Sequence, residues 1–318
     1  MSEALKTAPV AGAYCALQEL IELRYPARKL NLNQRKRALS LLSGPNKTNF
    51  RGRGIDFEEV RNYQPGDDIR TIDWRVTART GTAHTKMFRE ERERQVLVTT
   101  DQRNAMFFGS RHCCKSVLAA HFAALLSWSA LQRGDRVGGL VFSEPEHREV
   151  RPKRSRRAVL ALLNHLSELN QALPATPTEA GLGFTDMLVD LRRIARPGSA
   201  IFIISDFDGA LDESALEHLY QLTRHMEITA LHCSDPLEKA LPGAGRYTVT
   251  DGIDLTDMHT GDKRLRQLFS ERFEARQRAL RAEYGKLGIP VIEASTDDAP
   301  LNVLQAYYAD GSRGLKGR

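Results

Sequence analysis

Four cysteines in 318 residues leave little scope for covalent cross-linking. Cys15, Cys113, Cys114 and Cys233 form no CxxC pair and show no zinc-ligand spacing. The vicinal pair Cys113-Cys114 cannot bridge without strain, so reduced thiols in a cytoplasmic setting are expected. Long apolar runs are missing as well. No stretch approaches the roughly 18 apolar residues of a membrane span. The N-terminus carries Glu3, Glu19 and Glu22 where a signal peptide has an unbroken apolar centre. Internal repeats and low-complexity segments are absent.

Enzyme signatures are equally scarce. Gly52-Arg53-Gly54 lacks the third glycine and the preceding strand of a dinucleotide fingerprint. Gly44-Pro45-Asn46-Lys47-Thr48 has no glycine before its lysine, so it is no phosphate-binding P-loop. The nine histidines are scattered and build no HExxH. Ser127 and Ser129 sit inside an apolar helical stretch rather than on a nucleophile elbow. ATP hydrolysis would have to come from another chain.

What remains is an ordinary globular composition, 41% hydrophobic and 27% charged. Lys and Arg outnumber Asp and Glu by 46 to 40, a formal charge of +6. That excess is diluted along the chain, so nucleic-acid binding is not indicated. The densest basic patch is Arg148, Arg151, Lys153, Arg154, Arg156 and Arg157. It lacks interleaved aromatics for base stacking and reads first as a solvated loop and helix start.

Two regions differ in character. Residues 1–94 read as an N-terminal helix over 14–25, ended by Pro26, followed by a small irregular β domain with a strand at 82–89. From residue 95, short apolar strands alternate with helices. Strands are predicted at 96–100, 137–142, 200–205, 228–233 and 290–293, and helices at 113–133, 155–170, 185–195, 211–224, 262–287 and 300–308. A hairpin is expected within 245–259 and a frayed tail over 310–318. Apolar strands of four to six residues alternating with helices indicate a doubly wound, mainly parallel α/β sheet covered on both faces, here spanning 95–318.

In such a sheet, ligands gather beyond the carboxyl ends of the strands. Asp101 and Asp206 both end apolar strands, and Thr185 opens a helix after Gly181-Leu182-Gly183-Phe184. Two acids and a hydroxyl are hard oxygen ligands suited to Mg²⁺. This layout resembles a von Willebrand factor A domain, whose metal-ion-dependent adhesion site uses an Asp-x-Ser-x-Ser loop, a threonine and a second aspartate. The resemblance covers about residues 95–308 and assigns the metal positions to Asp101, Thr185 and Asp206. It departs at both serines, replaced here by Arg103 and Ala105. With two oxygens lost and a cation added, the site reads as degenerate, weak or empty, with Arg103 pairing with both acids. In the resembling domains a partner carboxylate completes the metal shell. Here Arg103 is expected to receive it by bidentate hydrogen bonding, which makes Arg103, Asp101, Asp206 and Asp208 the partner-binding set.

The small domain carries the longest motif: Arg61-x-Tyr63-x-Pro65-Gly66-Asp67-Asp68-x-Arg70-x-Ile72-Asp73-Trp74, then Ala78-Arg79. Gln64-Pro65-Gly66-Asp67 reads as a type II turn. Asp67, Asp68, Arg70, Asp73 and Arg79 read as an internal salt-bridge network, and Trp74 as core. Placed before a von Willebrand-like domain, this motif resembles the bacterial family named domain of unknown function 58. The resemblance implies association with a MoxR-type AAA+ ATPase and a role in assembly or maturation of a protein complex. The expectation is thus a non-enzymatic adaptor with no cofactor. The rival reading is a Mg²⁺-dependent hydrolase or nuclease using Asp101, Asp206 and Asp208.

Overall fold

The computed structural model describes residues 9–30, 32, 55–64, 69–90, 94–174, 181–250 and 255–313. They fall into two units, Ser43–Glu93 on one side and Met1–Leu42 with Arg94–Arg318 on the other.

In the smaller unit, β1 (Ile55–Asn62) pairs antiparallel with β2 (His84–Glu90), with an irregularity between Phe57 and Glu59. Between them a short helix, Trp74–Thr80, begins where the Asp73 carboxylate accepts from the Arg75 and Val76 backbone N–H groups at 3.0 and 3.2 Å. An aspartate N-cap satisfies donors that the first turn cannot. The helix ends at Gly81, whose φ of 73° is a left-handed conformation that favours glycine. Trp74 is 67% exposed on this unit, not core as its residue type suggested. It is the first residue of a helix that buries none of its side chains. Arg79 is exposed as well, and Asp73 serves as a cap. Pro65, Gly66, Asp67 and Asp68 lie outside the described residues, and with them the expected turn.

The larger unit holds the α/β sheet, with strand order β10-β7-β6-β3-β4-β5. Its strands are β3 (Gln95–Asp101), β4 (Arg136–Phe142), β5 (His147–Lys153), β6 (Ala200–Ser205), β7 (Glu227–Ser234) and β10 (Val291–Ser295). All neighbours run parallel except β4 and β5. Consecutive strand residues go to opposite cores: Val96 and Val98 to one, Leu97 to the other; Phe202 and Ile204 to one, Ile201 and Ile203 to the other. Cover on both faces is the physical reason these strands are apolar throughout. One face carries the helices Lys115–Gln132, Arg156–Gln171 and Pro300–Arg313; the other carries Phe184–Ile194, Glu213–Thr223 and Lys263–Lys286. Lys115–Gln132 is apolar nearly all round, as a central helix must be. A separate hairpin, β8 (Arg246–Thr250) with β9 (Leu255–His259), lies where one was expected.

Three boundaries differ from expectation. The N-terminal helix, Leu17–Glu22, belongs to the α/β unit rather than to the small domain. The Trp128 indole donates to the Leu20 carbonyl at 3.0 Å and the Ser129 hydroxyl to the Leu30 carbonyl at 3.2 Å, pinning this segment to the central helix. Pro26 does not end the helical path but opens a 3-10 turn, Pro26–Lys29. The last helix runs on to Arg313, into the expected tail.

The basic stretch also resolves differently. Arg148, Arg151 and Lys153 lie on the antiparallel strand β5, and Arg156 and Arg157 open a helix capped by Ser155. Nothing in the alternation of HREVRPK marked it as a strand, because only Val150 is buried. Arg148 pairs with Glu146 and Glu168, and the other basic residues are exposed.

Candidate functional site

The chain's path through the sheet reverses between β3 and β6: β4 lies on one side of β3 and β6 on the other. Reversal separates the loops that leave these two strands and opens a crevice at their carboxyl ends. Asp101 ends β3 and Asp206 follows β6, so both acids stand at that crevice.

Neither acid is free. The Arg103 guanidinium donates from Nε to both Asp101 oxygens at 3.2 Å and from Nη2 to Oδ2 at 2.8 Å. The Arg103 backbone N–H adds a bond to Asp101 Oδ1 at 2.9 Å, and the Ser205 hydroxyl one to Oδ2 at 2.6 Å. Nη2 also donates to the Asp208 carbonyl at 3.2 Å and lies 3.8 Å from Asp206 Oδ1. The guanidinium carbon sits 5.4 Å from the centre of the Phe142 ring, within cation–π reach.

Asp206 has its own cation. Lys115 Nζ donates to Asp206 Oδ2 at 2.9 Å and to Glu238 Oε1 at 2.7 Å, with only 2% of the lysine exposed. Lys115 opens its helix, the end where a positive charge is disfavoured by the helix dipole. Two carboxylates offset that cost. Burial is the largest influence on each of these groups, and the partners oppose it. Lys115 and Arg103 outweigh burial at Asp206 and hold its carboxyl down to about 2. At Lys115, burial is outweighed by Asp206 and Glu238, which push the ammonium up to about 12. At fully buried Asp101, burial pushes the carboxyl up despite Arg103.

The surrounding loop is fixed by buried polar bonds. Gln102 donates to the Ser116 carbonyl at 3.0 Å and accepts from Asn170 at 3.1 Å, while Asn170 accepts from the Cys15 backbone at 2.7 Å. Glu144 accepts from the Asn104 backbone with both oxygens, at 2.8 and 2.9 Å. On the β6 side, Phe207 has φ of 59°, a left-handed conformation unusual for a bulky residue. In this geometry the Phe207 N–H reaches Ser205 Oγ at 2.9 Å and the Asp208 N–H reaches Asp206 Oδ1 at 3.1 Å.

The arrangement does not fit Mg²⁺. A hard cation needs several free oxygens in an octahedral shell. Here the oxygens of Asp101 and Asp206 are taken by Arg103, Lys115, Ser205 and backbone donors. Thr185 Oγ1 lies 3.4 Å from Ser214 Oγ. Asp208 points an exposed carboxylate at Arg276, 2.9 Å away. Sequence reasoning identified Arg103 as the partner of the acids but missed Lys115, Ser205 and Glu238. A lone lysine heading an otherwise apolar helix was the signal for Lys115. The expectation that Arg103 takes a partner acid bidentately needs correction, because its Nε–Nη2 edge is spent on Asp101. Only Nη1 makes no hydrogen bond among the described residues.

A family profile described as "Protein of unknown function DUF58" matches residues 59–280. The uncharacterized protein Rv1480 of Mycobacterium tuberculosis (strain ATCC 25618 / H37Rv) is 28% identical over 290 residues, covering 90% of this chain and 89% of its own. The uncharacterized protein Mb1516 of Mycobacterium bovis matches with the same identity and coverage. Among solved structures, a von Willebrand factor type A protein from Catenulispora acidiphila aligns with TM-score 0.38 and 10% identity, over 73% of this chain and 45% of that one. The conserved hypothetical protein BatB from Bacteroides thetaiotaomicron aligns with TM-score 0.36 and 15% identity, over 61% and 98%.

Proposed function

The chain belongs to the DUF58 family, and from that premise we propose that it works as a non-enzymatic adaptor, docking a MoxR-type AAA+ ATPase during assembly or maturation of a protein complex. The setting proposed is the cytoplasm, where the four buried, unpaired cysteines stay reduced. The docking face is the strand-end crevice with its rim around Asp208.

One observation carries this reading: Arg103 and Lys115 neutralise the crevice acids from within the chain. A general base needs a carboxylate able to accept a substrate proton, and a metal-assisted hydrolase needs open oxygen ligands. Asp101 and Asp206 are committed to buried cations, which favours a rigid recognition surface over a reactive centre.

The test uses Asp208, whose side chain is 64% exposed and replaceable without disturbing the buried network. Asp208→Lys is expected to weaken capture of the co-expressed ATPase at least tenfold with no change in thermal midpoint. Capture at wild-type strength would refute docking at this face.

A further inference from the structure

Beside the crevice lies a cleft of about 240 Å³. Asp206, Phe207 and Leu211 form its wall on the sheet side, and the helix Lys263–Lys286 supplies Phe269, Arg272, Phe273 and Arg276 opposite. Ligand pockets for drug-sized molecules and cofactors run from ~300 to ~1,000 Å³. This cleft is below that range and matches a single bulky side chain.

Its chemistry is two-sided. Phe207, Leu211, Phe269, Phe273 and Leu280 give an apolar interior, and the two phenylalanines on the helix are only half-buried. The acids of the lining, Asp206 and Glu238, are both paired with Lys115, and Arg272 and Arg276 stand one helical turn apart at the border. Arg272 is exposed and has no hydrogen bond or ion pair among the described residues; Arg276 pairs only with the exposed Asp208. Their helix, KRLRQLFSERFEARQRALRAEYGK, has eight basic residues against three acidic ones.

One polar group of the cleft wall is unpaired. His232 lines the same cleft, is only 6% exposed, and its Nδ1 makes no hydrogen bond among the described residues. A buried polar atom left unpaired is costly, and such atoms are normally satisfied by a partner.

We infer that this cleft binds an acidic segment of a partner polypeptide, with one aromatic or leucine side chain entering between Phe269, Phe273 and Leu211. Carboxylates flanking that side chain meet Arg272 and Arg276. More than one acid flanks that side chain, rather than a lone chain-terminal carboxylate, because two arginines a helical turn apart border the cleft. The inference rests on the docking reading above and supplies the chemistry of the docked segment.

The probe is a fluorescein-labelled hexapeptide of Asp and Glu with one central Phe, acetylated and amidated, titrated into the full chain by anisotropy at low salt. Saturable binding is expected, weakened at least fivefold by Arg272→Glu and to the same degree when Gly replaces the peptide's Phe. Absence of binding, or binding indifferent to either change, overturns the cleft assignment. The same variant enters the ATPase capture assay. Capture that responds to Asp208→Lys but not to Arg272→Glu overturns the cleft and leaves the docking face standing. Capture indifferent to both overturns the docking face, and the peptide titration alone then decides the cleft.

Discussion

Lys115 and Asp206, 91 residues apart in sequence, meet at 2.9 Å where a central helix begins and a central strand ends. The pair is buried and ties two elements of the crevice together with one ionic contact. Removing one partner of a buried pair leaves an uncompensated charge, at a typical cost of ~3–5 kcal/mol. Lys115→Met is expected to lower unfolding free energy by about that amount in urea titrations. Lys115→Met with Asp206→Asn should recover part of the loss. A single variant as stable as wild type would mean the pair contributes nothing.

Arg103 holds the Asp101 carboxylate from two residues along the chain, so its replacement bears on metal affinity. In the wild type, millimolar Mg²⁺ is expected to leave the thermal midpoint unchanged within a degree. In Arg103→Ser/Ala105→Ser/Lys115→Ala the carboxylates lose both cations and gain hydroxyl neighbours. A ligand at 100 times its Kd stabilises by ~2.7 kcal/mol, so the midpoint of that variant should rise by several degrees with Mg²⁺. Scanning calorimetry with and without the metal reads both. A wild-type rise of similar size would contradict the geometry.

His232 sets an acid limb. Burial, only partly offset by Asp206, holds the imidazole down to about 4 from its ordinary 6.5. Above pH 6.5 both folded and unfolded states are neutral there, and the contribution to stability is complete. Between pH 6.5 and 4 the unfolded chain takes up a proton that the folded one refuses, so stability falls by up to ~1.4 kcal/mol per pH unit. Buried His121 acts in the same direction. Asp206 enters lower, its contribution being lost only as pH falls from 3.8 towards about 2. Denaturation midpoints at pH 7, 6 and 5 should therefore drop less steeply in His232→Phe than in wild type. Parallel curves would exclude His232 as the source.

Gly139 tests the sheet. A Cβ there would stand 2.0 Å from the Val98 carbonyl oxygen, a backbone atom of the adjacent strand with no rotamer to relax into. Gly139→Ala is expected to cost at least the ~1–3 kcal/mol of ordinary overpacking, seen as a lower urea midpoint. An unchanged midpoint would show that the strands separate freely.

Most of the α/β unit was legible because its strands are apolar on both sides and its helices carry clean punctuation. Gly134, Pro197-Gly198 and Asp262 stand at or near the boundaries that the structure confirms. The strand β5 was not, since a strand that buries one valine in seven residues has no period to read. At the crevice, Asp101 and Asp206 were visible as acids ending strands. Lys115 was not paired with them, because long-range ion pairs leave no trace in local spacing. Trp74 misled for a related reason: residue type suggests burial, but the helix beneath it is too short and too polar to bury anything.

The antiparallel edge of the sheet, β5, carries features that oppose pairing with another chain. An open margin of unpaired amides invites another chain to extend it, which is one route to fibrils. On β5 that margin bears Arg148, Arg151 and Lys153, and Pro152 withholds an N–H altogether. Like charges and a missing donor oppose the pairing of another chain along β5, so this margin of the sheet stays single.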